Sequence, residues 1–419
     1  MKILWFTSTP SLYDQGKHSY HGGGWIESLE QLVSNDDDIE LGVSFFHATD
    51  SQKVKQGKTT YYPIIRPSPR KNPIRSIINN WSGCLPDSNF DSALQAIVKD
   101  FKPDVIHVFG TEGPFATVQD FTNIPVVIHL QGLINPYLNT YLPVNQSILN
   151  FILSPRFFKN NIIGNSPVFA LKRFRSQAQR EADILQKARY VMGRTDWDKM
   201  VSALYNPDVS YFHVDEVLRP SFYAASQDDT ATRHKSLTIV STLSPTVYKG
   251  IDVLLRAAKK ITELGGAEFR WQVIGLDKND QLFRHFEATE KIYHADVSIQ
   301  CLGRKNPEEL IDILNAADVF VHPSYIDNSP NSVCEAQMLG LPVIACDVGG
   351  VSSLIQHGES GFLVPSNGVF ELVHYIKLLA QDQELVENIG ERAIKVAKKR
   401  HDRIRIMHDL KEMYTRIIN

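Results

Sequence analysis

Short, almost wholly apolar runs recur along this sequence between stretches with helical spacing, and the pattern breaks off once and then restarts. In the first half the runs are Lys2–Thr7 (KILWFT), Leu41–Phe46, Val105–Phe109, Val126–Leu130 and Arg189–Gly193, with helical stretches at Trp25–Val33 and Ser92–Phe101. A run without polar alternation suits a strand covered on both faces, and strands alternating with helices build a parallel sheet. Tyr223–Ser236 (YAASQDDTATRHKS) is polar and irregular, as a linker would be. Strands are then expected at Leu237–Ser241, Phe269–Ile274, Val297–Leu302, Val319–His322 and Val343–Cys346. The helix expected at Ile251–Leu264 places Ile251, Leu254, Leu255, Ala258, Ile261 and Leu264 on one face. Further helices are expected at Glu308–Ala316, up to Gly340, and almost unbroken from Leu385 to Ile418.

This pattern predicts an α/β chain of two Rossmann-like parallel-sheet domains, 1–222 and 237–400, joined by a linker at 223–236. Residues 401–419 form a C-terminal helix expected to return to the first domain. Two such domains in succession are expected to face each other across a cleft. Ligands of these sheets lie beyond the carboxyl ends of the strands, so the residues following each strand are the ones to inspect. At 419 residues the chain is long enough for two cores. Its net charge of −3 gives no electrostatic basis for nucleic acid as a partner. Cys84, Cys301, Cys334 and Cys346 lack metal-ligand spacing, which points to reduced thiols and against structural zinc. The opening MKILWFTSTP is too short an apolar run for a secretory leader, and nothing approaches the roughly 20 apolar residues of a spanning helix. A cytoplasmic protein is expected.

The strand Val319–His322 runs into Pro323-Ser324-Tyr325-Ile326-Asp327-Asn328-Ser329-Pro330-Asn331-Ser332 and then a helix from Val333. Free amides at a helix N-terminus form an anion site suited to a diphosphate. Glu335, read in the first helical turn, can accept hydrogen bonds from ribose hydroxyls. Ser332-x-x-Glu335 is equally the pattern of a capping box, in which Glu335 only reaches back to Ser332. Lys249-Gly250 stands at the N-terminus of the next helix, where the macrodipole disfavours a cation unless an anion sits beside it. A solvated loop lysine is the plain alternative.

VFVHPSYIDNSPNSVCEAQMLGLPVIACDVGG, followed by IQHGESGFLVP, resembles the signature of the retaining glycosyltransferases of family GT4, glycosyl transferases group 1, which have the GT-B fold. In that family two acids seven positions apart, followed by Ala and a Gly-x-Pro turn, mark the donor site; here they are Asp327 and Glu335, with Asp327 where glutamate is usual. The resemblance implies that Asp327 contacts the donor sugar, Glu335 the nucleotide ribose, and Asn328, Ser329, Asn331 and Ser332 the sugar and phosphates. Lys249 would hold the diphosphate. Its customary arginine partner is missing from Ser241-Thr242-Leu243, and Arg304, after Gly303, is a substitute or simply a surface arginine. The glycine loop Gly22-Gly23-Gly24 would approach phosphate and acceptor, and His129 the sugar. Without the resemblance the loop is merely flexible and His129 a core histidine. GRTDWDKM at Gly193–Met200 recurs in members making bacterial surface polysaccharides.

Asp196-Trp197-Asp198 matches a short metal motif, but Thr195 or Asp196 reads better as a helix cap. Asp36-Asp37-Asp38 reads as a solvated turn, so no metal site is expected. Gln131–Arg180 contains no acid, yet holds Arg156, Lys159, Lys172, Arg173, Arg175 and Arg180 among Phe151, Ile152, Leu153, Phe157, Phe158, Phe169 and Phe174. That mixture suits contact with anionic lipid, or else an insert packed on the first domain. The resemblance thus implies transfer of a sugar from a UDP- or GDP-sugar donor to a saccharide or lipid-linked saccharide in surface polysaccharide or glycolipid synthesis, without metal or other cofactor. A sugar-nucleotide 2-epimerase and a non-catalytic sugar-nucleotide-binding subunit are the competing readings.

Overall fold

The long apolar runs are strands buried along nearly their whole length in this computed structural model, which describes residues 1–14, 24–49, 52–65, 77, 81, 90–225, 236–265 and 268–419. Two units form. The first contains residues 1–138, 160–217 and 401–419, and the second residues 139–159 and 218–400. The division falls at Val217/Leu218, earlier than the expected end at 222; of the expected linker 223–236, residues 226–235 lie outside the described residues.

The first unit is built on an eight-stranded sheet: β1 (Lys2–Thr7), β2 (Glu40–His47), β3 (Val54–Gln56), β4 (Thr59–Ile65), β5 (Val105–Phe109), β6 (Val126–His129), β7 (Tyr190–Gly193) and β8 (Ser210–His213). Its order is β3-β4-β2-β1-β5-β6-β7-β8, parallel throughout except for β3 against β4. The helix Arg403–Ile418 belongs to this unit and buries Ile406, Leu410, Met413, Tyr414 and Ile417. Lys411 on that helix reaches Asp36 (2.9 Å) and Asp38 (2.8 Å), so the acidic turn supplies counter-charges for the chain's last helix. The expected unbroken helix 385–418 is instead two helices, Gln383–Arg400 and Arg403–Ile418. Asp402 separates them, its carboxylate capping the second by accepting from the Arg405 amide (2.8 Å).

The second unit has a six-stranded, all-parallel sheet: β9 (Leu237–Thr242), β10 (Phe269–Ile274), β11 (Ile299–Gly303), β12 (Val319–His322), β13 (Val343–Cys346) and β14 (Phe362–Val364), in the order β11-β10-β9-β12-β13-β14. The helix Ile251–Leu264 buries the expected face except Leu264, which is exposed at its end. Residues 139–159 also belong here, not to the first domain as expected. The ring of His285 explains this: Ser154 Oγ and Gln146 Oε1 each lie 3.2 Å from its nitrogens, and Phe151 and Phe157 pack against it. Those two phenylalanines are therefore buried anchors, not part of a solvent-facing surface. No helix among the described residues is long and apolar enough to cross a membrane.

Candidate functional site

In the second sheet β9 lies between β10 and β12, so the chain order reverses there. Loops leaving two strands that flank such a reversal open beside each other, which is where these sheets take ligands. The loop after β9 carries Lys249 and Gly250, and the loop after β12 carries residues 323–330. The Tyr325 amide donates to the Tyr248 carbonyl (2.9 Å), fastening one loop to the other. Gly250 has φ +75°, and a Cβ on it would stand 2.0 Å from the Pro323 carbonyl oxygen. Gly349, after β13, has φ +55°, and its Cβ would stand 2.0 Å from the Asp327 carbonyl oxygen. Glycine alone permits both approaches, and they leave Asp327, Asn328 and Ser329 buried although they lie in a loop.

Two charge pairs result. Lys249 Nζ donates to Asp327 Oδ2 (2.5 Å), and His322 Nε2 lies 3.0 Å from the same oxygen. The Asn328 amide donates to Asp327 Oδ1 (3.1 Å). Burial alone would raise the Asp327 carboxyl, but Lys249 and His322 outweigh it and hold it well below the usual carboxylate range. The anion that Lys249 needs beside the helix N-terminus is thus provided by the chain itself. His322 Nδ1, Ser324 Oγ and Thr242 Oγ1 are buried polar atoms without a partner among the described residues. All three stand at or just past the ends of β9 and β12.

The second pair corrects the expectation for Glu335. The helix Asn331–Met338 begins after Pro330 with no side-chain cap, so Ser332 and Glu335 form no capping box, and Glu335 lies beyond the first turn. Glu335 Oε1 instead accepts from Arg219 Nε (3.0 Å) and Nη2 (2.6 Å). Arg219, at the head of the short helix Pro220–Ala224, is a functional candidate that sequence reading missed. Asn331 and Ser332 are half-buried in the first helical turn. Arg304 is not brought to Lys249: it is exposed after Gly303 at the end of β11, the edge strand, with β10 between it and β9.

In the first unit the reversal falls between β1 and β5. Gly22 and Gly23 lie outside the described residues, and Gly24 opens the helix Gly24–Ser34. His129 ends β6, is 1% exposed, and meets the edge of Trp25, the residue after Gly24 (ring centroids 5.3 Å apart). Burial first, then the neighbouring His107 and Arg194, lower the His129 pKa well below its ordinary value, so the ring is neutral. Glu112, another residue not singled out from sequence, follows β5. Its carboxyl lies against Gly110 and Gly132, where added Cβ atoms would stand 2.0 and 3.1 Å from its oxygens. Burial pushes it up to about 7. Thr195 caps the helix Asp196–Tyr205, accepting from the Asp198 amide (3.0 Å) while Asp198 accepts from the Thr195 amide (3.2 Å). Asp198 is thereby committed to the cap.

Against known proteins, residues 226–396 match the family described as "Glycosyl transferases group 1". The chain is 31% identical over 195 residues to a D-inositol 3-phosphate glycosyltransferase of Rhodococcus erythropolis, covering 43% of each chain. It is 29% identical over 160 residues to the amylovoran biosynthesis glycosyltransferase AmsK of Erwinia amylovora, covering 36% of this chain and 37% of that one. The matched stretch therefore spans less than half of these curated relatives. Among solved structures, sucrose-phosphate synthase of Thermosynechococcus elongatus superposes with a TM-score of 0.71 at 14% identity, over 99% of this chain and 98% of that one. Anabaena HepE in complex with UDP and glucose gives 0.65 at 15%, over 99% of each. The chain has the GT-B fold.

Proposed function

We propose that this protein transfers a sugar from a UDP- or GDP-sugar to a hydroxyl of a saccharide acceptor, with retention of anomeric configuration and without a metal. The observation that carries the reading is the meeting of Lys249 and Asp327 at the strand-order reversal of the second unit, where His322 Nδ1, Ser324 Oγ and Thr242 Oγ1 at the strand ends lack partners among the described residues. Such atoms are costly in an apolar setting and are suited to the hydroxyls of a sugar. Lys249 turns from Asp327 to the donor diphosphate, helped by the amides opening the helix Asn331–Met338. Asp327 then accepts from sugar hydroxyls, and Glu335, held by Arg219, accepts from the ribose. In the first unit, His129 is read as a contact for a sugar hydroxyl. The acceptor oxygen bonds to the anomeric carbon as its bond to phosphate breaks, and the hydroxyl proton passes to the leaving phosphate. The side chains named bind and orient. The two curated relatives and the UDP in HepE support the sugar-nucleotide chemistry.

The acceptor is assigned as a lipid-linked saccharide of the surface-polysaccharide or glycolipid type, met at a membrane face. Val144, Leu149, Ile152, Leu153 and Phe158 are all exposed within one short stretch of the second unit, beside exposed Arg156 and Lys159. A cavity of about 360 Å³ opens between Leu149, Leu153, Arg156 and Ala288. Exposed apolar side chains with cations and no acid suit anionic lipid.

Thermal stabilisation by UDP- and GDP-sugars tests the donor, because a ligand that binds only the folded state raises the melting temperature. One of them is expected to stabilise the wild type. Glu335→Ala is expected to lose that shift, measured against its own ligand-free melting temperature. An undiminished shift would leave Glu335 only as Arg219's partner.

A further inference from the structure

We infer that Tyr414, acting through His107, is a positioning residue that sets the tautomer of His129 and makes its Nε2 a hydrogen-bond donor. Four buried side chains of the first unit form one line. Trp5 Nε1 lies 3.1 Å from Tyr414 Oη, Tyr414 Oη 2.7 Å from His107 Nδ1, and His107 Nε2 3.2 Å from His129 Nδ1. His129 Nε2 is buried and has no partner among the described residues. Trp5, Tyr414 and His107 are fully buried and His129 is 1% exposed, so their protons go to one another.

The direction follows from the donor inventory. An indole N–H can only donate, so Tyr414 accepts from Trp5. The tyrosine has one proton, and His107 Nδ1 is the acceptor within reach. A neutral imidazole carries a single N–H, so the proton of His107 is on Nε2 and is donated to His129 Nδ1. The proton of His129 is then on Nε2. Reversing the two histidines would strand the tyrosine hydroxyl proton in the core and leave Nε2 a bare acceptor. Burial holds His107 down to about 3, which keeps its ring neutral as this line requires. The strands fix the spacing: Trp5 pairs with His107 between β1 and β5, and His129 pairs with Phe109 between β6 and β5. Tyr414 comes from the chain's last helix, some 300 residues from either histidine.

The tautomer stands independently of the proposed activity. Its use, an N–H offered to a sugar hydroxyl, rests on that reading. Long-range proton–nitrogen correlation on histidine-¹⁵N-labelled full-length protein, without ligand, tests it. The wild type is expected to show the Nε2–H form for both His107 and His129. Tyr414→Phe keeps the ring but removes the hydroxyl, and is expected to turn the His129 signal into a mixture of both forms. His107→Gln, whose amide can accept from Tyr414 and donate to His129, is expected to retain Nε2–H at His129, whereas His107→Leu is expected to lose it. An Nδ1–H form of His129 in the wild type, or an unchanged His129 pattern in both Tyr414→Phe and His107→Leu, overturns the inference. If the tautomer is as stated and no UDP- or GDP-sugar stabilises the protein, the proposed activity fails and the relay stands.

Discussion

Lys249 shows how one residue can satisfy a demand that sequence reading assigned to something outside the chain. A cation at the start of the helix Ile251–Leu264 opposes the helix dipole, and Asp327 meets the need in the free protein with a bond of 2.5 Å. The pair is largely withdrawn from water, with 21% of the lysine side chain and 11% of the aspartate exposed. Removing one member of such a pair costs more than removing both, because a buried charge is left behind. Lys249→Met is therefore expected to lower unfolding free energy by about 1–3 kcal/mol, and Lys249→Met with Asp327→Asn to recover most of that loss. Urea titrations of the two single variants and the double variant would read the coupling. Additive losses would mean that the contact contributes nothing to the folded state.

At the scale of strands and helices, legibility followed unbroken apolar composition. β1, β5, β6, β12 and β13 are covered on both faces, and a run with no polar position is hard to mistake. β4 (TTYYPII) mixes threonine and tyrosine, β8 lies half-exposed at a sheet edge, and β14 has only three residues, so none stood out. The loop 323–330 after β12 was readable from its motif. The Arg219–Glu335 pair was not, since it joins residues 116 positions apart and no local pattern links them. The segment 139–159 was legible in composition but not in placement, because the composition could not say that Phe151 and Phe157 would turn inward onto His285. What remains outside is Leu149 at 63% exposure, Leu153 at 76% and Phe158 at 67%. Full-length protein is expected to co-sediment with phosphatidylcholine vesicles containing phosphatidylglycerol, and less with phosphatidylcholine alone. Leu149→Asp with Leu153→Asp is expected to reduce binding several-fold at an unchanged melting temperature, as loss of two inserted aliphatic side chains would. Equal binding by this variant would remove the membrane assignment.

For the whole molecule, buried and half-buried titratable groups set how stability depends on pH, and the histidines and Glu112 act in opposite directions. His107 titrates near 3 in the folded chain and near 6.5 when unfolded; His285, held down chiefly by burial, titrates near 4. Between the folded and unfolded values the unfolded state carries the extra proton, so stability falls as pH drops below about 6.5. Each such histidine contributes up to about 1.4 kcal/mol per pH unit. Glu112 is the reverse case: raised to about 7 from 4.5, it binds its proton first in the folded state, and stability rises as pH falls from 7 towards 4.5. Both windows overlap between pH 6.5 and 4.5, so the wild type shows only their difference. His107→Gln removes a term that lowers stability on acidification and is expected to flatten the fall. Glu112→Gln removes a term that opposes it and is expected to steepen the fall, each by up to about 1.4 kcal/mol per pH unit. Unfolding free energies of the wild type and both variants at pH 7, 6 and 5 would decide the matter. A change of the same sign in both variants would mean that at least one of these two groups is not buried in the protonation state assigned to it.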